Sequence, residues 1–582
     1  NGANDFTGAV AVVSGNNVSL RDSNALGLGA VSMAGHLTAE ALGGDLTTGG
    51  NISKTSGTDA TAALKATGSI VQNAAASITS TSNKLHTILW SDADNSGSGH
   101  ILVTDGNTID TNGGNLVMAG GLDDGANGGT SGDGIPDGYA VSNTANRAGV
   151  GIGRPDNTAT AATTLQSGGG DIILRGRSTG AGGEMGVYFA HSGTLAADDG
   201  TLTILGESAA THGVELSAWV SGLLNISGRT VNIQGKTSAA GSHGLATSEL
   251  GGKYASITAG AGGITLYGEH TGAETGGIQM AVNLTATGGG AILIESPDTF
   301  WFYNAHNAHS YSAGTGDITI RANGVTNSGS AGTTAFSGTG DLTIEPYSAG
   351  TTIGIAGGAG TLQLPAGYFT TNFTDGFSGI TVGRSDGTGK ITAGAFAVND
   401  ALTLRTDSGG IELTGLLNAG ANTVTVNSTG SVTDSGSGAI AAGGLALLGA
   451  GGNFTLDGTG NDVDTLAADT GSVTYVDGDA LTIGTVNPTG ITATGPVNIA
   501  TLTGDLTVSQ NIVTSDTSNA AIVLNAGKSV AAGTAAGGNI VLSGSPAFTT
   551  GAGGRTTLYT GGISGSTGLT ALLGSGSGRF RY

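Results

Sequence analysis

The sequence predicts an all-β protein, a right-handed parallel β-helix (β-solenoid) of roughly 20–25 residues per coil with loop excursions. Three observations lead there. A five-residue phrase recurs, in which a small or polar pair precedes aliphatic, small, aliphatic: "GTLTI" ending at Ile204, "GDITI" at Ile320, "GDLTI" at Ile344, "DALTL" at Leu404, "NTVTV" at Val426 and "GDLTV" at Val508. The phrases are evenly spaced. First aliphatics at Leu402, Ile411, Val424, Val432, Leu445 and Phe454 stand 9, 13, 8, 13 and 9 apart, and consecutive pairs of intervals sum to 22, 21, 21 and 22. Composition agrees, since 582 residues contain 111 Gly, only 8 Pro, 4% aromatic and 10% charged residues.

Each phrase puts two aliphatics on one face and the residue between them on the other, which describes a short half-buried strand. Gly, Asn and Asp between phrases supply the corners, because they tolerate positive φ. Antiparallel sandwiches would show tight two-residue hairpins and no fixed two-interval sum. At ~22 residues per coil and the 4.8 Å strand spacing, the chain makes about 26 coils and reaches roughly 125 Å. A thin interior of this kind is expected to exclude large side chains. Regularity divides the chain into a less regular part, 1–314, with long Gly/Asp-rich and aromatic loops, and a more regular part, 315–582. The stretch from Ser56 to Ser82 has Ala-rich, helix-compatible spacing, and Gly120 to Gly134 and Gly180 to Gly186 read as loops leaving a coil. Both ends lie close to the repeating pattern and are read as cuts in one continuous, longer solenoid.

The formal charge is −23, from 42 acidic and 19 basic residues spread thinly along the chain. Nucleic acid and anionic membranes need clustered Lys and Arg, so neither is an expected partner. Cysteine is absent, which excludes disulfides and thiolate chemistry. No run of 18 apolar residues predicts a membrane-inserting helix. The positive mean hydropathy, +0.11, argues against disorder.

Several longer phrases carry a family likeness. "NVSLRDSNALGLGAVSMAGHLTAEA" from Asn17, "TILWSDADNSGSGHILV" from Thr87, "ITVGRSDGTGKI" from Ile380 and "DALTIGTVNPTGITATGPVNIATLTGDLTV" from Asp479 resemble the repeats of filamentous-haemagglutinin-like bacterial exoproteins. The resemblance covers most of the chain and lies in repeat grammar. It implies a right-handed β-helical fibre or adhesin, exported by two-partner secretion to the cell surface or secreted matrix of a Gram-negative bacterium. Implied partners are other copies of itself, neighbouring coils of a longer chain, and cell-surface polysaccharide. The family's Asn-Pro-Asn secretion motif is missing, "NPTG" from Asn487 being the near match, so the secretion route rests on analogy alone.

Candidate sites follow from local chemistry. Asp92, Asp94 and Ser96 before Gly97 imitate the first half of a calcium loop, yet the twelfth position is Val103, which excludes an EF-hand. A solenoid corner accounts for the same residues. Asp123, Asp124, Asp133 and Asp137 in "GLDDGANGGTSGDGIPDGYA" form a second calcium candidate, with turn chemistry as the alternative. "GTGNDVDTL" from Gly458 resembles one calcium-binding nonapeptide, in a single copy and out of phase. Calcium is thus the one cofactor in view.

Phe300, Trp301, Phe302, Tyr303 and Tyr311, with His306 and His309, make the aromatic segment "DTFWFYNAHNAHSYS". It reads either as a glycan or partner contact or as a loop whose rings cover one flank of the coils. Outward Thr203, Thr319, Thr343, Thr403, Thr425, Thr455, Thr482 and Thr507 suggest hydroxyl ladders, as on ice-binding solenoids, although Gln363, Glu412 and Asn498 interrupt the array. No Ser-His-Asp signature, phosphate loop or His-x-x-x-His motif occurs, so a non-enzyme is expected, with a polysaccharide-binding or polysaccharide-cleaving β-helix as the alternative.

Overall fold

A computed structural model describes residues 4–153, 161–180, 184–217, 222–248, 254–272, 276–303, 306–328, 333–531 and 537–573. The chain forms two compact units, Asn1–Thr339 and Gly340–Tyr582. Each is a parallel β-solenoid. The expected alternation holds: Leu37–Ala41, for example, buries its first, third and fifth residues and turns Thr38 to solvent.

In the first unit every coil offers three faces, and each face is a column of hydrogen-bonded neighbours. On the first, Leu26, Leu46, Ile70, Ile101, Val150, Val187, Val214, Leu245, Ile278 and Phe300 are successive register partners. Val31, Ile52, Ile78, Ile109, Leu165, Leu195, Ile226, Ile257, Leu284 and Tyr311 build the second. The third runs through Leu116, Ile172, Leu202, Val231, Ile264, Ile292 and Ile318. Burial of each such side chain contributes about 1.5–3 kcal/mol before chain entropy is subtracted.

The second unit keeps the spacing read from the sequence. Leu402 pairs with Val424 and Val424 with Leu445, while Ile411 pairs with Val432 and Val432 with Phe454. The interval of 13 conceals a third strand, because Phe396–Ala397 pairs with Leu416–Asn418 on a face too short to show alternation.

Two expectations fail. The Ala-rich segment is no helical excursion: Ala60–Ala66 is a strand with Ala60, Ala62, Leu64 and Ala66 inward, paired with Leu37–Ala41 on one side and Leu85–Ser91 on the other. Neighbours offering backbone partners at both edges override Ala's helix preference. Nor does the interior exclude large side chains. Phe189, Phe300, Phe302, Tyr311, Phe336, Phe369, Phe373, Phe454, Tyr475 and even Lys54 are fully buried, with the Lys54 ammonium donating to the Ser82 carbonyl.

Corners are closed by side-chain oxygens. Carboxylates of Asp45, Asp59, Asp171 and Asp434 accept backbone N–H groups of the next coil at Ser69, Lys84, Thr201 and Gly458. Asn17, Asn51, Asn115, Asn283 and Asn511 do the same at His36, Ser77, Asp171, Ser310 and Ala547. Two asparagines turn inward instead. Buried Asn107 and Asn461 each accept one amide, from Ala76 and Ile440, and donate to several carbonyls of the corner. A buried polar backbone group without such a partner costs about 1–3 kcal/mol.

Charges are paired across coils. Arg21 meets Glu40 at 2.9 Å, Arg177 meets Glu207 at 2.7 Å, Lys236 meets Glu269 at 3.0 Å and Lys390 meets Glu412 at 2.6 Å. Exposed pairs of this kind contribute at most about 1 kcal/mol each. Their value lies in register, since a slipped coil would part these charges and set uncharged residues opposite them. Among the described residues no helix is long and apolar enough to cross a membrane.

Candidate functional site

The "DADNSGSG" segment is a corner between Leu85–Ser91 and Ile101–Val103. Asp92 takes a left-handed conformation at φ 48° and is buried. Its carboxylate accepts from the Ser96 hydroxyl at 2.9 Å and from the Gly97 N–H at 3.1 Å. Asp94 is exposed and caps the Ser96 N–H at 3.4 Å. The oxygens that would face a cation are therefore closing a turn, with Gly97 at φ 80° where a Cβ would be strained.

The glycine-rich excursion between Leu116–Gly120 and Ala140–Ser142 is organised in the same way. Asp123 receives the N–H groups of Gly132 and Gly134 at 2.6 and 2.8 Å, Asp124 that of Ala126, and Asp133 that of Ile135. Asp137 is buried, accepts from Gly125 at 2.7 Å and lies 3.7 Å from the Arg175 guanidinium. Arg175, buried as well, also donates to the Pro136 carbonyl at 2.9 Å. Four carboxylates and one arginine thus fix a loop that glycine alone would leave loose. Because Asp92, Asp123 and Asp137 already accept N–H groups of their own loops, thermal unfolding in calcium and in chelator is expected to differ by less than about 1 °C. A rise of several degrees with calcium would contradict this.

The structure brings the two excursions together. Antiparallel bridges join Gly99 to Val141 and Gly120 to Gly138, and the Trp90 indole donates to the Gly121 carbonyl at 2.8 Å. Between them lies a cleft of about 270 Å³ lined by Asp92, Asn95, Gly97, Asn127, Gly138, Tyr139, Val141, Arg177 and Thr179. Arg177 lies 4.3 Å over the Tyr139 ring, and both reach Glu207, the tyrosine hydroxyl donating at 3.1 Å. Burial first, and then Glu207, push the Tyr139 hydroxyl up to about 12.

The aromatic segment lies elsewhere than a flank. Ile292–Tyr303 is a strand, and Phe300, Phe302 and Tyr311 point into the core. Their rings pack on one another and on Phe336, with centroids 4.8 Å apart for Tyr311 and Phe336 and 5.7 Å for Phe302 and Phe336. The loop covering one flank is thereby corrected: alternation along a strand sends every second ring inward. Trp301, on the opposite side of the strand, is half-buried and meets the edge of His243 at 5.3 Å, which stacks on His212 at 5.6 Å. His309 is buried against Tyr254, His306 is exposed, and the side chain of Tyr303 lies outside the described residues. Of the segment's side chains described, Trp301 keeps partial access for a glycan or partner and His306 is exposed.

One grouping escaped sequence reading. Asp462, Asp477 and Asp479 bring carboxylate oxygens within 4.8 Å of one another, the one such group of three among the described residues. Asp477 is buried and receives the Tyr475 hydroxyl and the Val463 and Asp479 N–H groups. Burial nevertheless pushes its carboxyl up to about 6. Two exposed acids remain to face solvent, far short of the six to eight oxygens calcium takes. The "GNDVD" phrase touched this place, but Asp477 and Asp479 belong to the far end of the same strand region and carry no spacing signal.

Among the threonines, Thr343, Thr381, Thr403 and Thr425 form one column of successive partners, which Ala446 ends. Asp341 and Gly379 flank it on one side and Arg405 and Asn427 on the other; Thr433, Thr455 and Thr474 make a second short file and Thr465, Thr482 and Thr507 a third.

No family model, curated protein or solved structure matches the chain.

Proposed function

We propose that the chain is a structural and adhesive segment of an extracellular bacterial surface or matrix exoprotein, serving attachment or filament formation. Its partners are then other copies of itself or further coils of a longer chain, with cell-surface polysaccharide as a ligand. The observation that carries this reading is the uninterrupted handing of all three faces from coil to coil over most of the first unit. A stack of this kind spends its sequence on backbone pairing and an aliphatic axis, which give stiffness. The repeat grammar shared with filamentous-haemagglutinin-like exoproteins supports the same reading and supplies the Gram-negative surface as its setting.

Antibody labelling of intact producing cells, imaged by electron microscopy beside a deletion strain, tests it. Label on extracellular filaments that vanish with deletion, together with reduced attachment, is the expected outcome. Label confined to the cytoplasm would overturn the proposal.

A further inference from the structure

We infer that the cleft between the 92–99 corner and the 121–139 excursion binds a neutral sugar unit of a polysaccharide. The inference deepens the adhesive reading by naming a ligand class and a place, and rests on that reading for its biological setting. Four features of the cleft converge on such a ligand.

The first is size: about 270 Å³ falls just under the roughly 300 Å³ at which drug-sized pockets begin, which suits one or two pyranose rings. The second is the pairing of donors and acceptors. Asn95, Asn127 and Thr179 are exposed side chains on three different segments, and amides and hydroxyls both donate and accept, as sugar hydroxyls do. Asn127 is held for this by donating to the Asp137 carbonyl at 2.7 Å, which leaves its amide oxygen as an acceptor.

The third is the wall. Tyr139 presents an aromatic surface in a cleft otherwise made of polar groups, glycine backbone and Val141, and is fixed by Arg177 and Glu207. The fourth is charge. Within the lining Arg177 and Asp92 balance each other, Arg177 is further neutralised by Glu207 at 2.7 Å, and the chain as a whole carries −23. An acidic polysaccharide would be repelled by that field, whereas a neutral one is indifferent to it. The Tyr139 hydroxyl donates to Glu207, so the tyrosine is not placed to take a proton from a sugar.

The site was invisible in the linear sequence because its walls come from Asn95, Asn127, Tyr139 and Thr179, which only the coil stacking brings together.

Calorimetric titration of the full chain with maltotriose, cellotriose, mannotriose and galactotriose, and with trigalacturonate as the acidic comparison, tests the assignment. At least one neutral trisaccharide is expected to bind, and Asn95→Ala and Thr179→Ala are each expected to weaken it by about three- to tenfold, the range for one lost hydrogen bond. Both residues are exposed, and unchanged thermal unfolding of the variants confirms that the fold is kept. No binding by any neutral trisaccharide, preference for trigalacturonate, or affinity unmoved by both substitutions would each overturn the site. Such a failure leaves surface labelling of filaments unaffected, so the two proposals fail separately.

Discussion

Tyr311→Ala is expected to destabilise the coils around Ile292–Tyr303 by about 3–5 kcal/mol, the cost of removing a large ring from a packed core. Tyr311 is fully buried, and its ring packs against Phe336 at 4.8 Å and Phe300 at 6.3 Å. An alanine there leaves a cavity between two strands, Ile292–Tyr303 and His309–Ser312. Tyr311→Phe should have the opposite sign. The hydroxyl is buried with no hydrogen-bond partner among the described residues, so its removal relieves an unmet polar group and is expected to stabilise by about 1 kcal/mol. A solenoid unfolds in neighbouring groups of coils, and a single melting temperature can blur a local change. Hydrogen exchange at the amides of Ile292–Tyr303 and His309–Ser312 is therefore the suitable measurement. Slower exchange in the alanine variant, or faster exchange in the phenylalanine one, would show that the ring cluster is not what holds this region.

The second large effect is on pH, and the coils around one residue in each unit are expected to respond in opposite directions. His243 lies in the first unit, where burial, followed by the charges of His212 and His270, lowers its imidazole from 6.5 to about 4. A folded-state value below the unfolded one means that the fold favours neutral His243. Its contribution is intact above pH 6.5, is lost as pH falls through the window from 6.5 to 4, and amounts to on the order of 3 kcal/mol when lost. Asp477 lies in the second unit, raised by burial from 3.8 to about 6. Here the fold favours the protonated carboxyl, so the contribution is full below pH 3.8 and is lost as pH rises through 6, by a similar amount.

Acidification from pH 7 to pH 4 should consequently loosen the coils around His243 and tighten those around Asp477. Exchange rates or proteolysis mapped to each unit at pH 7, 5.5 and 4 will show it. His243→Gln should flatten the first trend and Asp477→Asn the second; trends that persist unchanged in these variants would assign them to other groups.

Much of the fold was readable because the physics of one coil repeats. The spacing from Leu402 to Phe454 is the register that Leu402, Val424 and Leu445 adopt. What stayed hidden has identifiable causes. Phe396–Ala397 and Leu416–Asn418 are too short to alternate, so the third face left no trace. Ala60–Ala66 satisfies helical and strand periods alike, and only its neighbours decide. The ring cluster was misjudged because the girth of a coil depends on loop lengths that no single phrase records. At the site level, Asp92 and Asp123 were found as acids, but their roles as amide acceptors depend on turns of the backbone. The cleft that Asp92 borders requires three coils to be stacked before it exists.

The oxygens that close the corners have one more consequence. Asp45 and Asp171 perform the same task as Asn51 and Asn115, each taking an N–H from the coil that follows. Carboxylate and carboxamide are interchangeable there, since only an acceptor atom is required. Evolution, or an engineer, can therefore dial the electrical character of this exterior between strongly anionic and neutral one corner at a time, while the winding beneath stays as it is.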